Sequence, residues 1–106
     1  MPKFLVAASY TVAGTNGLLK EGASARRQAV EDLLKPLGGS LDAFYFTFGN
    51  SDAILIIDVP SNETALGIAM AVRASGMVSS TMTPLLPIEE ADRAAGMPIH
   101  FRPPGS

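Results

Sequence analysis

The chain contains no cysteine. That excludes disulfides, thiolate catalysis and cysteine-ligated zinc or iron–sulfur centres, and it fits a reducing, cytoplasmic location. Charge is also scarce. Of 106 residues, 17% are charged and 47% are apolar, and the net charge is −2. Basic residues are scattered apart from Arg26-Arg27. The basic stripe of a nucleic-acid-binding protein is missing, so no nucleic acid partner is expected. No run approaches the ~18 apolar residues of a membrane span, so no membrane partner is expected either. The opening MPKFLVAASYTVAG alternates like a strand and lacks the apolar core of a signal peptide.

Histidine occurs once, as His100 in a proline-rich tail. A metal site needs several ligands at set spacings, and scattered acids around one histidine supply none. A haem site needs a closed pocket, which such a tail does not make. No metal and no cofactor is expected. No Ser-His-Asp, P-loop or dinucleotide signature is present, and Gly14-Thr15-Asn16-Gly17 is turn material rather than a phosphate loop.

The length fits one domain over 1–106, with 97–106 as an extended tail. KFLVAASYT, 3–11, reads as a buried strand. VAGTNG reads as a turn, with Thr15 or Asn16 capping the first helix. Residues 17–37 read as helix, because Val30, Leu33, Leu34 and Leu37 share one face of a 3.6-residue repeat. Gly22 predicts a kink or break, Ser24 a second cap, and Pro36 an end near Lys35 with Gly38-Gly39 as stop residues.

Residues 40–48 and 52–59 read as two strands joined at GNS. Phe44, Phe46 and Phe48 share one face and Ala43, Tyr45 and Thr47 the other. Ile54 and Ile56 oppose Ala53, Leu55, Ile57 and Val59 in the same way. Both strands are thus oily on both faces. Ser61 or Asn62 then caps a helix running to about Ser75, rich in small residues that permit close approach to a sheet. MVSSTMTPLL reads as a fourth strand and PIEEADRAA as a short helix.

The expected fold is α+β. It has a ferredoxin-like βαββαβ order, a four-stranded antiparallel sheet with helices on one face, and a short C-terminal helix. One sheet face stays bare, and its oiliness exceeds what a monomer usually exposes. The chain is therefore expected to pair with itself, as a homodimer or higher oligomer joined sheet to sheet. If Leu55 and Ile57 form that face, an Asp at either position breaks the oligomer.

The stretch EGASARRQAVEDLLKPLGGSLDAFYFTFGNSDAILIIDVPSNETA resembles the GYD domain family of small bacterial proteins, and the likeness extends from KFLVAASYT to FRPPG. The family's hairpin signature is a Gly, one residue, then Tyr-Asp. Here it reads Gly49-Asn50-Ser51-Asp52, with Ser51 in the tyrosine position. The resemblance implies a dimeric α+β barrel. It implies no established activity. The wider group includes cofactor-free monooxygenases, lactone isomerases, haem enzymes and effector-sensing domains, and a shared fold does not carry function.

Four residues are candidate ligand contacts: Arg26, Tyr10, Tyr45 and Asp52. Arg26 falls on the apolar stripe of its helix, where a guanidinium needs a partner. That partner is either a ligand carboxylate or phosphate, or an acid such as Asp52, or else the side chain snorkels to water. Arg27 is placed to pair with Glu31 at i+4 on the surface. Asp52 either holds turn amides or acts as a base at a pocket mouth. Tyr10, Tyr45, Ser9 and Thr47 put hydroxyls on strands expected to be central, and Ser79, Thr81 and Thr83 add a hydroxyl row. Catalytic residues are not identified. Three functions fit: a small-molecule binding or sensing domain for an organic or anionic ligand, a cofactor-free monooxygenase- or isomerase-type enzyme, or an assembly module. The first is preferred, because catalytic residue types are few.

Overall fold

A computed structural model describes residues 2–106. The element order is β1 (Lys3–Tyr10), α1 (Val12–Glu21), α2 (Ala23–Leu34), a 3₁₀ turn (Lys35–Leu37), β2 (Ser40–Phe46), β3 (Ala53–Asp58), α3 (Asn62–Ala74), β4 (Val78–Leu85) and α4 (Ile88–Ala95). The four strands form one sheet in the order β2-β3-β1-β4, and every neighbouring pair is antiparallel.

Alternation along the strands decides which face is covered. Phe4, Val6 and Ala8 of β1, Ala53, Leu55 and Ile57 of β3, and the following Val59 are buried together with Leu34 of α2 and Ala65 and Ile68 of α3. These side chains form the core. The intervening residues, Leu5, Ala7, Ile54 and Ile56, are half-exposed on the opposite, open face. Register confirms the grouping: Leu5 lies opposite Ile56, and Ala7 opposite Ile54.

Leu55 and Ile57 therefore belong to the core and not to the open face, which corrects the expectation that an Asp there would test an interface. The residues that do so are Ile54 and Ile56. Hydropathy could not make this choice, because both rows are apolar. The helices choose the row whose flanking residues, Ala53 and Val59, are also fully buried.

The start of α1 differs from the sequence reading. Its helix begins five residues earlier than the turn signals suggest, at Val12, with the Thr11 hydroxyl accepting the Gly14 N–H at 3.1 Å. Gly14 is there for space: a Cβ at that position would lie 2.2 Å from the Met77 carbonyl oxygen. That same carbonyl accepts the Thr11 N–H at 2.9 Å. Gly22, at φ +89°, separates α1 from α2, as its place in the sequence predicted. No side chain caps α2, so Ser24 does not act as a second cap.

Strand β2 carries a bulge at Asp42, between the pairs Leu41–Ile57 and Ala43–Ile56. The extra residue puts Leu41 and Phe44 on the core side together. Asp42 and Asp58 both accept from the Lys3 ammonium, Asp58 at 3.1 Å. In α3, Ser61 is the cap, its hydroxyl accepting the Thr64 N–H at 3.2 Å. Ala65 packs into the core. Gly67, by contrast, faces open space, so not every small residue of α3 serves close packing.

Candidate functional site

Helix α3 packs over β4 and α2 over β2, and the two helices make almost no contact with each other. Between them a cleft of about 370 Å³ runs down to the central strands. Val6, Leu55 and Ile57 form its floor. Val30 and Leu33 of α2 face Ile68 and Val72 of α3 across it. Its walls are apolar. The polar groups are Tyr10, Arg26, Ser75 and Ser80. Among the described residues no carboxylate lines it. Such a volume, with a few polar groups in an apolar lining, has the dimensions of a small-molecule site.

Tyr10 and Arg26 stand at one end. Together with Met77 and Val78 they also line a smaller recess of about 170 Å³ beneath α1, which contains Glu21. The Arg26 guanidinium lies 3.6 Å from the Glu21 carboxylate, with about a third of each side chain exposed. A half-wet pair of this kind contributes between 0 and about 1 kcal/mol, so an incoming anion can replace Glu21 at little cost. The break at Gly22 brings the two charges together. They are five residues apart, and on an unbroken helix that spacing would not face them.

Burial pushes the Tyr10 phenol above its ordinary range, and Arg26 pulls it back down, while Asp52 and Glu21 push it further up. The net direction is upward, which keeps Tyr10 a neutral hydrogen-bond donor at ordinary pH. Its reach toward Arg26, Asp52 and Glu21 places all four groups in one electrostatic neighbourhood.

Asp52 acts on the backbone. The β1–β3 ladder ends at Ala8–Ala53. The next donor on that side of β1 is the Tyr10 N–H, and the Asp52 carboxylate accepts it at 2.8 Å. The Asp52 N–H in turn donates to the Ala8 carbonyl at 2.8 Å, and its own carbonyl accepts the Thr47 N–H at 2.9 Å. Asp52 thus binds the hairpin to the end of β1. Its carboxylate holds a distant strand amide rather than those of its own turn, and so it fixes the residue that enters the cleft.

Tyr45 lies elsewhere. It pairs with Ile54 on the open face and is 71% exposed. Its strand is an edge strand, as is β4, so the hydroxyl row Ser79, Thr81 and Thr83 also sits on the open face, away from Arg26. Of the four candidates, the structure brings Arg26 and Tyr10 together, sets Asp52 behind them, and puts Tyr45 on the other side of the sheet. Glu21, Met77, Ser75 and Ser80 were missed. Ser80 was legible as the period-two neighbour of Val78 and Met82, whereas Glu21 depended on the kink. Arg27 pairs with Glu31 at 3.9 Å, as the i+4 spacing predicted.

Among the described residues, no three His, Asp or Glu side chains gather as metal ligands, and no helix is long and apolar enough to cross a membrane. Fold and cleft define an α+β protein with an open four-stranded antiparallel sheet and four helices. The family model described as GYD domain matches residues 4–95, so the chain belongs to the GYD domain family. No curated protein and no solved structure matches it.

Proposed function

We propose that this GYD domain chain is a homo-oligomeric small-molecule binding or sensing domain working in the cytoplasm. Its ligand is an apolar molecule with an anionic end. The apolar part occupies the cleft between α2 and α3, and the anion replaces Glu21 on Arg26, with Tyr10 donating a hydrogen bond. One observation carries this reading: an apolar cleft of about 370 Å³ in which Arg26 is, among the described residues, the only cation. An assembly module has no use for such a cleft. An enzyme of the monooxygenase or isomerase kind would want an acid or base in it, and Tyr10, the titratable acid present, is shifted away from ionisation.

The strand order β2-β3-β1-β4 supports a ferredoxin-like arrangement, and the apolar open face supports pairing of two sheets into a dimeric α+β barrel.

Octanoate and octan-1-ol separate the two halves of the ligand. By calorimetry, octanoate should bind more tightly than the alcohol. Arg26→Gln should remove that preference, at a cost of about 1.5–3 kcal/mol for the charged hydrogen bond. Equal binding of acid and alcohol by the unaltered protein would refute the anionic part of the reading.

A further inference from the structure

Every residue from Leu86 to Ser106 is exposed. Within this segment α4 is amphipathic: Ile88, Ala91 and Ala95 fall on one stripe, with Asp92 beside it and Glu89, Glu90 and Arg93 round the far side. Leu86, Ile88, Met97, Ile99 and Phe101 are 58–78% exposed. The described hydrogen bonds of the segment all stay within it. The radius of gyration is 17.0 Å, where a compact chain of this length has about 13 Å. An ordered helix with an oily stripe and an oily extension thus stands clear of its own body.

We infer that this segment is an arm that docks on a second copy of the chain. Three observations select that occupant. Pro84 and Pro87 bracket the exit from β4 and stiffen the chain where it would have to fold back. The polar side of α4 carries Glu89, Glu90 and Asp92 against Arg93, which suits an anionic lipid surface poorly. The open face with Leu5, Ala7, Ile54 and Ile56 already calls for a second copy as its cover, and the arm leaves β4, an edge strand of that sheet, so it emerges beside the copy that pairs there. The five large side chains expose on the order of 600 Å² per arm; two arms and the surface beneath them reach the ~1,600 Å² of a stable interface. The inference rests on the homo-oligomer proposed above and adds what holds it together.

Two experiments test it. The first compares the solution mass of the full chain with that of a chain ending at Leu85, and with the Ile88→Ser, Ile99→Ser, Phe101→Ser variant. Circular dichroism checks that each is folded. An oligomeric full chain and at least tenfold weaker association of both variants support the arm. A shortened chain that associates as tightly as the full one overturns the arm and leaves the oligomer standing. A monomeric full chain overturns the oligomer as well.

The second uses the lack of cysteine. A nitroxide on Ile99→Cys is mixed with ¹⁵N-labelled chains that carry no nitroxide. Broadening of amides in the ¹⁵N chains supports docking between copies. Unbroadened ¹⁵N spectra in a sample whose mass is oligomeric overturn it.

Discussion

Val6 and Leu55 are buried on the helix side, while Leu5 and Ile54, each one residue away on the same strands, are half-exposed on the other face. The two rows differ little in hydropathy. They differ in what lies above them. Over the first row stand α2 and α3, which contribute Leu34 and Ile68 to the core, and the gap between these helices is a cleft with Tyr10 and Arg26 at its end. On the second row's side the sheet is apolar and half-exposed, and it ends in the Lys3, Asp42 and Asp58 cluster, where Asp58 Oδ1 is buried without a hydrogen-bond partner among the described residues. Apolar character alone did not distinguish the covered face of the sheet from the open one. Helix placement did.

The largest expected effect separates the rows directly. Leu55→Asp removes core packing and puts a carboxyl without a partner among apolar groups. Whether that carboxyl stays charged or is forced to protonate, it should cost at least about 4–5 kcal/mol, comparable with the 5–15 kcal/mol that holds a domain together, and so largely unfold the chain. Ile56→Asp should leave the fold intact by circular dichroism and lower the mass in solution. An unfolded Ile56→Asp chain would erase the difference between the rows.

A smaller effect is expected at the junction that sets up the cleft. Asp52→Ala leaves the Tyr10 N–H without its acceptor and should cost about 1–3 kcal/mol in urea denaturation. Gly14→Ala should cost a similar ~1–3 kcal/mol, because its methyl meets the Met77 carbonyl and α1 must shift. A neutral Gly14→Ala would mean that α1 sits off β1 more loosely than described.

The smallest effect is alkaline. Tyr10 and Lys3 both hold their protons above their ordinary values in the folded chain, Tyr10 through burial and Lys3 through its bonds to Asp42 and then Asp58. The folded state therefore binds more protons than the unfolded one near pH 10. That stability is complete below about pH 10 and declines as pH rises through the raised values. In a Tyr45→Phe background, the tyrosinate absorbance should report Tyr10 alone, with a midpoint above 10. Adding Arg26→Gln should move it higher still, because Arg26 is the group that lowers it.

Much of this architecture was legible beforehand. The four strands, the break at Gly22, the Ser61 cap and the Arg27–Glu31 pair follow from local chemistry. The early start of α1 was not legible. Gly14, Asn16 and Gly17 resemble a turn until Met77, more than sixty residues on, explains why Gly14 must be small. The Asp42 bulge was hidden for a related reason, since it is a property of pairing between β2 and β3. For the site, periodicity placed Arg26 on the inner stripe of α2. It could not show that Tyr10 and Tyr45, both on strands, point to opposite sides of the sheet, because that depends on which row the helices cover.

The division between the two faces is open to a methyl-resolved NMR titration of the full chain with octanoate. Shifts are expected in Val30, Leu33, Ile68 and Val72 around the cleft, with Leu5, Ile54 and Ile56 on the open face unmoved. Shifts confined to Leu5, Ile54 and Ile56, or no shifts at saturating octanoate, would overturn the assignment of the cleft as the binding side.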